Sequence, residues 1–139
     1  GYHTMNNYRY IDCAIINETE LRHELRDRES KLTDLMKVLS KRLKTKNLVV
    51  TQGNSGATLY ASDNNKYYHC PAFAAKIVDK IGAGDAMLAL LSCSLKSGLD
   101  ADLCLFIGSL AAAQSVESIG NSIPVNKVQL LKTLHHAIK

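Results

Sequence analysis

Asp79-Lys80-Ile81-Gly82-Ala83-Gly84-Asp85 joins a short strand-like run to a long apolar helix. Two glycines flank one alanine, and an aspartate follows at once. A helix that begins this way presents backbone N–H groups without partners, and its dipole favours negative charge there. Small residues let a phosphate come close to the backbone. The stretch therefore has the layout of an anion cradle with a carboxylate beside it. Such a carboxylate is costly unless it has a task. The task that suits Asp85 is to accept a proton from a hydroxyl that attacks phosphorus. Taken alone, the same residues describe a turn and a helix start equally well.

Working outward, residues 84–95 form the helix that the cradle opens, with Gly98 as its stop. Asp100 is placed to cap a further helix through Val116. A loop from Glu117 to Pro124 follows, and then a last helix with Val128, Leu131, Leu134 and Ile138 on one face. Upstream, Ile11–Ile16 is an apolar run of strand length, and Asn17-Glu18-Thr19-Glu20 opens a short helix to about Arg28. Ser30 is placed to cap the next helix, where Leu32, Leu35, Met36, Leu39 and Leu43 make one apolar stripe and Asn47 marks the end. Leu48-Val49-Val50 is a second buried strand, followed by the turn-rich Thr51–Gly56. Ala57–Ala61 and Lys66–Cys70 form a hairpin through Asp63-Asn64-Asn65, and 71–78 is extended. Strand–helix alternation at the start argues for a parallel α/β sheet covered by helices.

The chain has 139 residues, 46% hydrophobic and 22% charged, which suits one domain with a real core. A net charge of +4 is too mild to argue for nucleic acid. Much of the excess lies between Arg22 and Lys46, interleaved with acids, as on a solvated helix face. Cys13, Cys70, Cys93 and Cys104 show no Cys-x-x-Cys spacing, which argues for reduced thiols and against a zinc site. His23, His69, His135 and His136 suggest no ligand set. Tyr60, Tyr67 and Tyr68 are expected to cover the hairpin. Neither a signal peptide nor a transmembrane span is visible, so no membrane partner and a cytoplasmic setting are expected.

Three patterns stand in order along the chain. Asn17-x-x-Glu20 follows the first strand, Val50-Thr51-x-Gly53-x-x-Gly56 follows the second, and Asp79-x-x-Gly82-Ala83-Gly84-Asp85 opens the long helix. Together they resemble the C-terminal, nucleotide-binding half of the ribokinase-like, phosphofructokinase-B type carbohydrate kinases, from about Ile11 to Lys139. The resemblance implies a three-layer α/β fold with a mainly parallel sheet flanked by helices, of which residues 11–139 are the C-terminal portion. Residues 1–10 are expected to be a disordered start or an expression scar. Asp85 would be the general base, with Gly82, Ala83 and Gly84 as the anion hole. Asn17 and Glu20 would organise Mg2+, its waters and the ATP phosphates. Thr51, Gly53 and Gly56 match the nucleotide-phosphate loop. Gly120 and Asn121, with Ser118 and Ser122, match the segment beside the adenine. Asp79, Ile81, Ser118, Gly120 and Ser122 correspond to a monovalent-cation (K+) site in many members.

Lys80 replaces the family's usual Thr and puts K+ dependence in question, and Ser109 stands where many relatives have Asn before Ala111–Ala113. Nothing matches the family's Gly-Gly sugar motif or its β-lid. The chain is therefore expected to be an inactive fragment of an ATP-dependent sugar or sugar-phosphate kinase. Ile15–Arg22 looks closest to heptose-phosphate kinase-like modules, often fused to a nucleotidyltransferase. Two alternatives stay open: a non-catalytic nucleotide-binding module, or a nucleoside or vitamin kinase of the same fold. Asn17 and Glu20 also satisfy a capping box, a role compatible with the functional one. An exposed sheet edge would permit a homodimer.

Overall fold

A computed structural model of the chain describes residues 5–74, 78–79, 81–117, 119 and 122–137. The elements are β1 (Cys13–Asn17), α1 (Glu18–Leu25), α2 (Leu32–Leu43), β2 (Asn47–Thr51), β3 (Ala57–Ala61), β4 (Lys66–Cys70), α3 (Ala83–Lys96), α4 (Ala101–Val116) and α5 (Lys127–Ala137). The strands form one sheet in the order β1-β2-β3-β4.

Alternation along the strands builds three layers, because successive side chains point to opposite faces. Ala14, Ile16, Leu48, Val50 and Tyr60 face α1 and α2, where they meet Leu21, Leu35, Met36, Leu39 and Leu43. Val49, Ala57, Leu59, Ala61 and Cys70 face the other way, against Met87 and Leu91 of α3 and Cys104 and Leu105 of α4. β3 is covered on both sides, and all five of its residues are buried. Gly108 brings α3 and α4 close: a Cβ there would lie 3.0 Å from Leu91 Cβ and 3.1 Å from Met87 Cγ.

The expected mainly parallel sheet is realised here only between β1 and β2, which are parallel. The β2/β3 and β3/β4 pairings are antiparallel. The reason is local: the short loop after β2 and the tight 62–65 turn leave no room for a crossover. Asn65 takes φ 54° in that turn and accepts a hydrogen bond from Tyr60 Oη at 3.2 Å. Tyr60 and Tyr67 pack ring against ring at 4.8 Å, covering the strands as expected.

Several boundaries move from the sequence reading. Ser30 does not cap α2; its hydroxyl donates to Asp27 Oδ2 at 2.7 Å, and Lys31 is the N-cap without a side-chain bond. α2 ends at Leu43 with Lys44 in the left-handed region, so Asn47 opens β2 rather than closing the helix. Asp100 is the N-cap of α4 but makes no side-chain capping bond. In α5 the inward residue is Leu130, whereas Val128 and Leu131 of the expected stripe are exposed. Ile138 lies outside the described residues. Among the described residues, no helix is long and apolar enough to cross a membrane.

Candidate functional site

Parallel register brings two of the three motifs together. Asn17 pairs with Thr51 across β1 and β2, so both stand at the carboxyl end of the sheet. Open α/β sheets bind ligands in that crevice. Ala57 opposes Thr51, and Cys70 opposes Ala57, so the β2–β3 loop and the exit of β4 share the same end. A cleft of about 1140 Å³ opens there. Its walls include Asn17, Glu20, Thr51, Gly53, Gly56, Ala83, Gly84 and Asp85.

At the start of α1, Asn17 Oδ1 accepts the Glu20 N–H at 2.8 Å, and Glu20 Oε2 accepts the Asn17 N–H at 3.1 Å. This is a complete capping box, so the structural role expected of the pair is real. It also fixes both side chains at the edge of the cleft. Oxygen donors held this way suit Mg2+, which prefers oxygen and keeps several waters. Among the described residues there is no group of three or more His, Cys, Asp or Glu that could hold a metal by itself.

The start of α3 is built differently. Gly82 is the N-cap at φ 83°, a backbone that L side chains rarely adopt, and no side chain caps it. The first helical bond runs from Ala86 N–H to the Gly82 carbonyl at 2.9 Å. The amides of Ala83, Gly84 and Asp85 therefore lack helical partners. Gly84 has no positive φ, and a Cβ built on it would meet nothing within 4 Å. Its lack of a side chain leaves open space at the cleft wall, where a ligand could approach the backbone. Asp85 is exposed and makes no hydrogen bond or ion pair with the described residues. Gly82 itself does not line the cleft, although it sets the helix start that does.

The glycines of the β2–β3 loop separate into two kinds. Gly53 sits at φ 58° with open space where a Cβ would be. Gly56, at φ 89°, is demanded by packing, since a Cβ there would collide with the Cys70 carbonyl and the Pro71 backbone. Ala112 and Ala113 line the cleft, as does Ser109. Ser109 is 7% exposed, and among the described residues its hydroxyl has no hydrogen-bond partner of ordinary geometry. It does sit close enough to Cys70 to pull that thiol slightly down against the larger upward push of burial. Burial also pushes the Cys13 thiol up to about 11, with further upward pushes from Cys104 and Asp12. The buried thiols are thus poor nucleophiles.

Asp79 is tied to the end of α4, with the Val78 and Asp79 amides donating to the Val116 carbonyl at 2.8 and 3.1 Å. Asp79 Oδ1 accepts the Ile81 N–H at 3.0 Å. The carbonyl end of α4 is thereby brought next to the signature. Ser122 is exposed, while Lys80, Ser118, Gly120 and Asn121 lie outside the described residues.

Sequence reasoning missed four polar residues of the cleft region. Glu18 Oε1 accepts from Arg22 Nε at 2.9 Å and Nη2 at 2.8 Å. Glu18 Oε2 accepts from Gln52 Nε2 at 3.1 Å. Thr58 Oγ1 donates to Gln52 Oε1 at 3.0 Å. The one available signal was the second carboxylate of Asn17-Glu18-Thr19-Glu20, since a capping box uses only the other. Arg22 also donates to the Arg28 and Ser30 carbonyls at 3.1 and 3.0 Å, so it serves to brace α1.

Residues 3–128 match the family described as pfkB family carbohydrate kinase. The chain is similar to the bifunctional protein HldE of Bradyrhizobium diazoefficiens, 38% identical over 90 residues, covering 65% of this chain and 18% of that relative. HldE of Geotalea uraniireducens is 30% identical over 120 residues, 86% of this chain and 24% of that relative. The chain thus spans no more than about a quarter of these relatives. Among solved structures, Arabidopsis thaliana ribokinase complexed with ribose and ATP aligns with TM-score 0.74 at 27% identity, over 88% of this chain and 40% of that one. Escherichia coli phosphofructokinase-2 with substrates and products aligns with TM-score 0.81 over 97% of this chain and 44% of that one, and at 17% identity it speaks to the fold alone. The family match spans most of the chain, and the solved structures share its helix-flanked sheet; this chain belongs to the pfkB family of carbohydrate kinases.

Proposed function

We propose that residues 11–139 are the ATP-binding half of a kinase that transfers a phosphoryl group to a hydroxyl of a sugar or sugar phosphate. One observation carries this reading. A single cleft gathers the uncapped, glycine-lined start of α3, the Asn17–Glu20 pair and the loop from Thr51 to Gly56. The ATP of the similar ribokinase and the bifunctional nature of the HldE relatives support it. The ribose of that ribokinase favours a sugar as acceptor, and the bifunctional relatives favour a second activity in the complete protein.

In the reaction, Asp85 takes the proton of the acceptor hydroxyl as its oxygen attacks the γ-phosphorus in line, and ADP leaves. The amides of Ala83 and Gly84, in a helix start set by Gly82, stabilise the charge on the transferring group. Asn17 and Glu20 would hold Mg2+ through water, and the ion would neutralise phosphate charge. Thr51 and Gly53 would contact the phosphates, with Gly56 holding the loop's shape. Gly120 and Asn121 are assigned beside the adenine on the resemblance alone, as is a K+ site at Asp79, Ile81, Ser118, Gly120 and Ser122.

The test is phosphoryl transfer by the complete protein and by its Asp85→Asn variant. The expected result is a kcat lower by about 10²- to 10⁴-fold, with the KM for ATP nearly unchanged. Near-equal kcat values would sink the base assignment.

A further inference from the structure

We propose that Gln52 is a positioning residue that clamps the β2–β3 loop to the start of α1, through a hydrogen-bond chain whose direction also sets the tautomer of His69. The inference deepens the nucleotide reading above and rests on it for the loop's purpose.

The direction follows from the chemistry of the groups. A carboxylate only accepts, so the atom of Gln52 facing Glu18 Oε2 at 3.1 Å must be its amide nitrogen. The amide oxygen then faces Thr58 Oγ1 at 3.0 Å, and that oxygen only accepts. The single hydroxyl proton of Thr58 is therefore committed to Gln52. His69 Nδ1 lies 3.2 Å from the same Thr58 oxygen. With that proton used, Nδ1 must carry its own and donate. The chain runs His69 to Thr58 to Gln52 to Glu18, and Glu18 is held from behind by the two-pronged Arg22 guanidinium.

The placement gives the chain its role. Gln52 lies between Thr51 and Gly53, and its backbone N–H donates to the Gly56 carbonyl at 2.7 Å. Glu18 lies between Asn17 and Glu20 in sequence. Glu18 and Gln52 both line the cleft. The bond between them spans two groups of residues assigned to one ligand, and the β4 edge strand braces it through His69.

The experiment combines nitrogen-15 NMR of His69 at about pH 8, above the ordinary histidine range, with calorimetric titration of Mg-ADP. It uses the wild-type chain and the variants Gln52→Leu, Thr58→Val and Thr58→Ser. The Nδ1–H tautomer is expected in the wild type and in Thr58→Ser. Gln52→Leu frees the Thr58 hydroxyl to donate to Nδ1 and shifts His69 towards Nε2–H. Mg-ADP affinity is expected to fall about tenfold in Gln52→Leu and Thr58→Val and to be kept in Thr58→Ser. An Nε2–H tautomer in the wild type overturns the chain's direction. Equal Mg-ADP affinity in the wild type and Gln52→Leu overturns the positioning role. Absence of Mg-ADP binding by the wild type would sink the nucleotide reading and the role together, and the His69 tautomer would tell that failure from failure of the clamp.

Discussion

Two helix starts face the same cleft and are finished in opposite ways. At α1 the chain satisfies its own amides: Asn17 and Glu20 exchange hydrogen bonds, and Glu18 is held by Arg22 and Gln52. At α3 the cap is a glycine with no side chain to offer, and the first three helical amides have no helical partner. Glycine is itself a fair N-cap, only about a few tenths of a kcal/mol less stabilising than Ser, Asn or Asp. The exposed amides at the start of α3 are met by water, or by an anion where one binds. The α1 start is braced by its own side chains, and the α3 start opens onto the cleft without such a brace.

Substitutions can break this contrast, and Gly84→Leu should do so most strongly. Its side chain would project into open space, so the melting temperature should not fall, while Mg-ADP affinity drops by more than about tenfold. Calorimetry beside a thermal melt checks both halves. Next comes Gly82→Ala, which puts a Cβ on a backbone at φ 83°. It should lower stability by about 1–2 kcal/mol in denaturant unfolding. Asn17→Ala removes one arm of the capping box and should cost about 1 kcal/mol, with Asn17→Ser recovering most of it. If Gly82→Ala proved harmless while Asn17→Ala unfolded the chain, the division of labour between the two starts would be wrong.

The smallest effect lies away from both starts. The folded state holds the Cys13 thiol up at about 11 through burial, above its ordinary value. A raised acid stabilises the fold while protonated, so its contribution is present below the ordinary thiol range and lost as pH rises towards 11. Unfolding curves across alkaline pH should show a modest loss of stability that Cys13→Ser reduces, the raised Cys70 and Cys104 thiols supplying the rest. Cys93 is exposed and should be the first thiol alkylated.

Patterns with strong local causes were legible in the sequence. The α2 stripe of Leu32, Leu35, Met36, Leu39 and Leu43 lies where its spacing put it, and both hairpin strands keep their expected bounds. The face of α5 was not legible, because apolar residues stand on more than one side of it and packing against α4 selected Leu130. The motif marks Gly56 as a nucleotide-loop residue, and it does not announce that the Cys70–Pro71 backbone 14 and 15 residues later also demands a glycine there. The Glu18–Gln52 bond joins residues 34 apart, and no local pattern announces it.

Sequence by itself determined the family signature, the two helix starts and the amphipathic layers, because each depends on residues within a few positions of one another. Tertiary structure decided that Asn17 stands beside Thr51, that the glycine-lined start of α3 shares their cleft, and that Gln52 ties the loop to α1. Those placements depend on strand register and on contacts between distant segments, which only the packed sheet brings into reach.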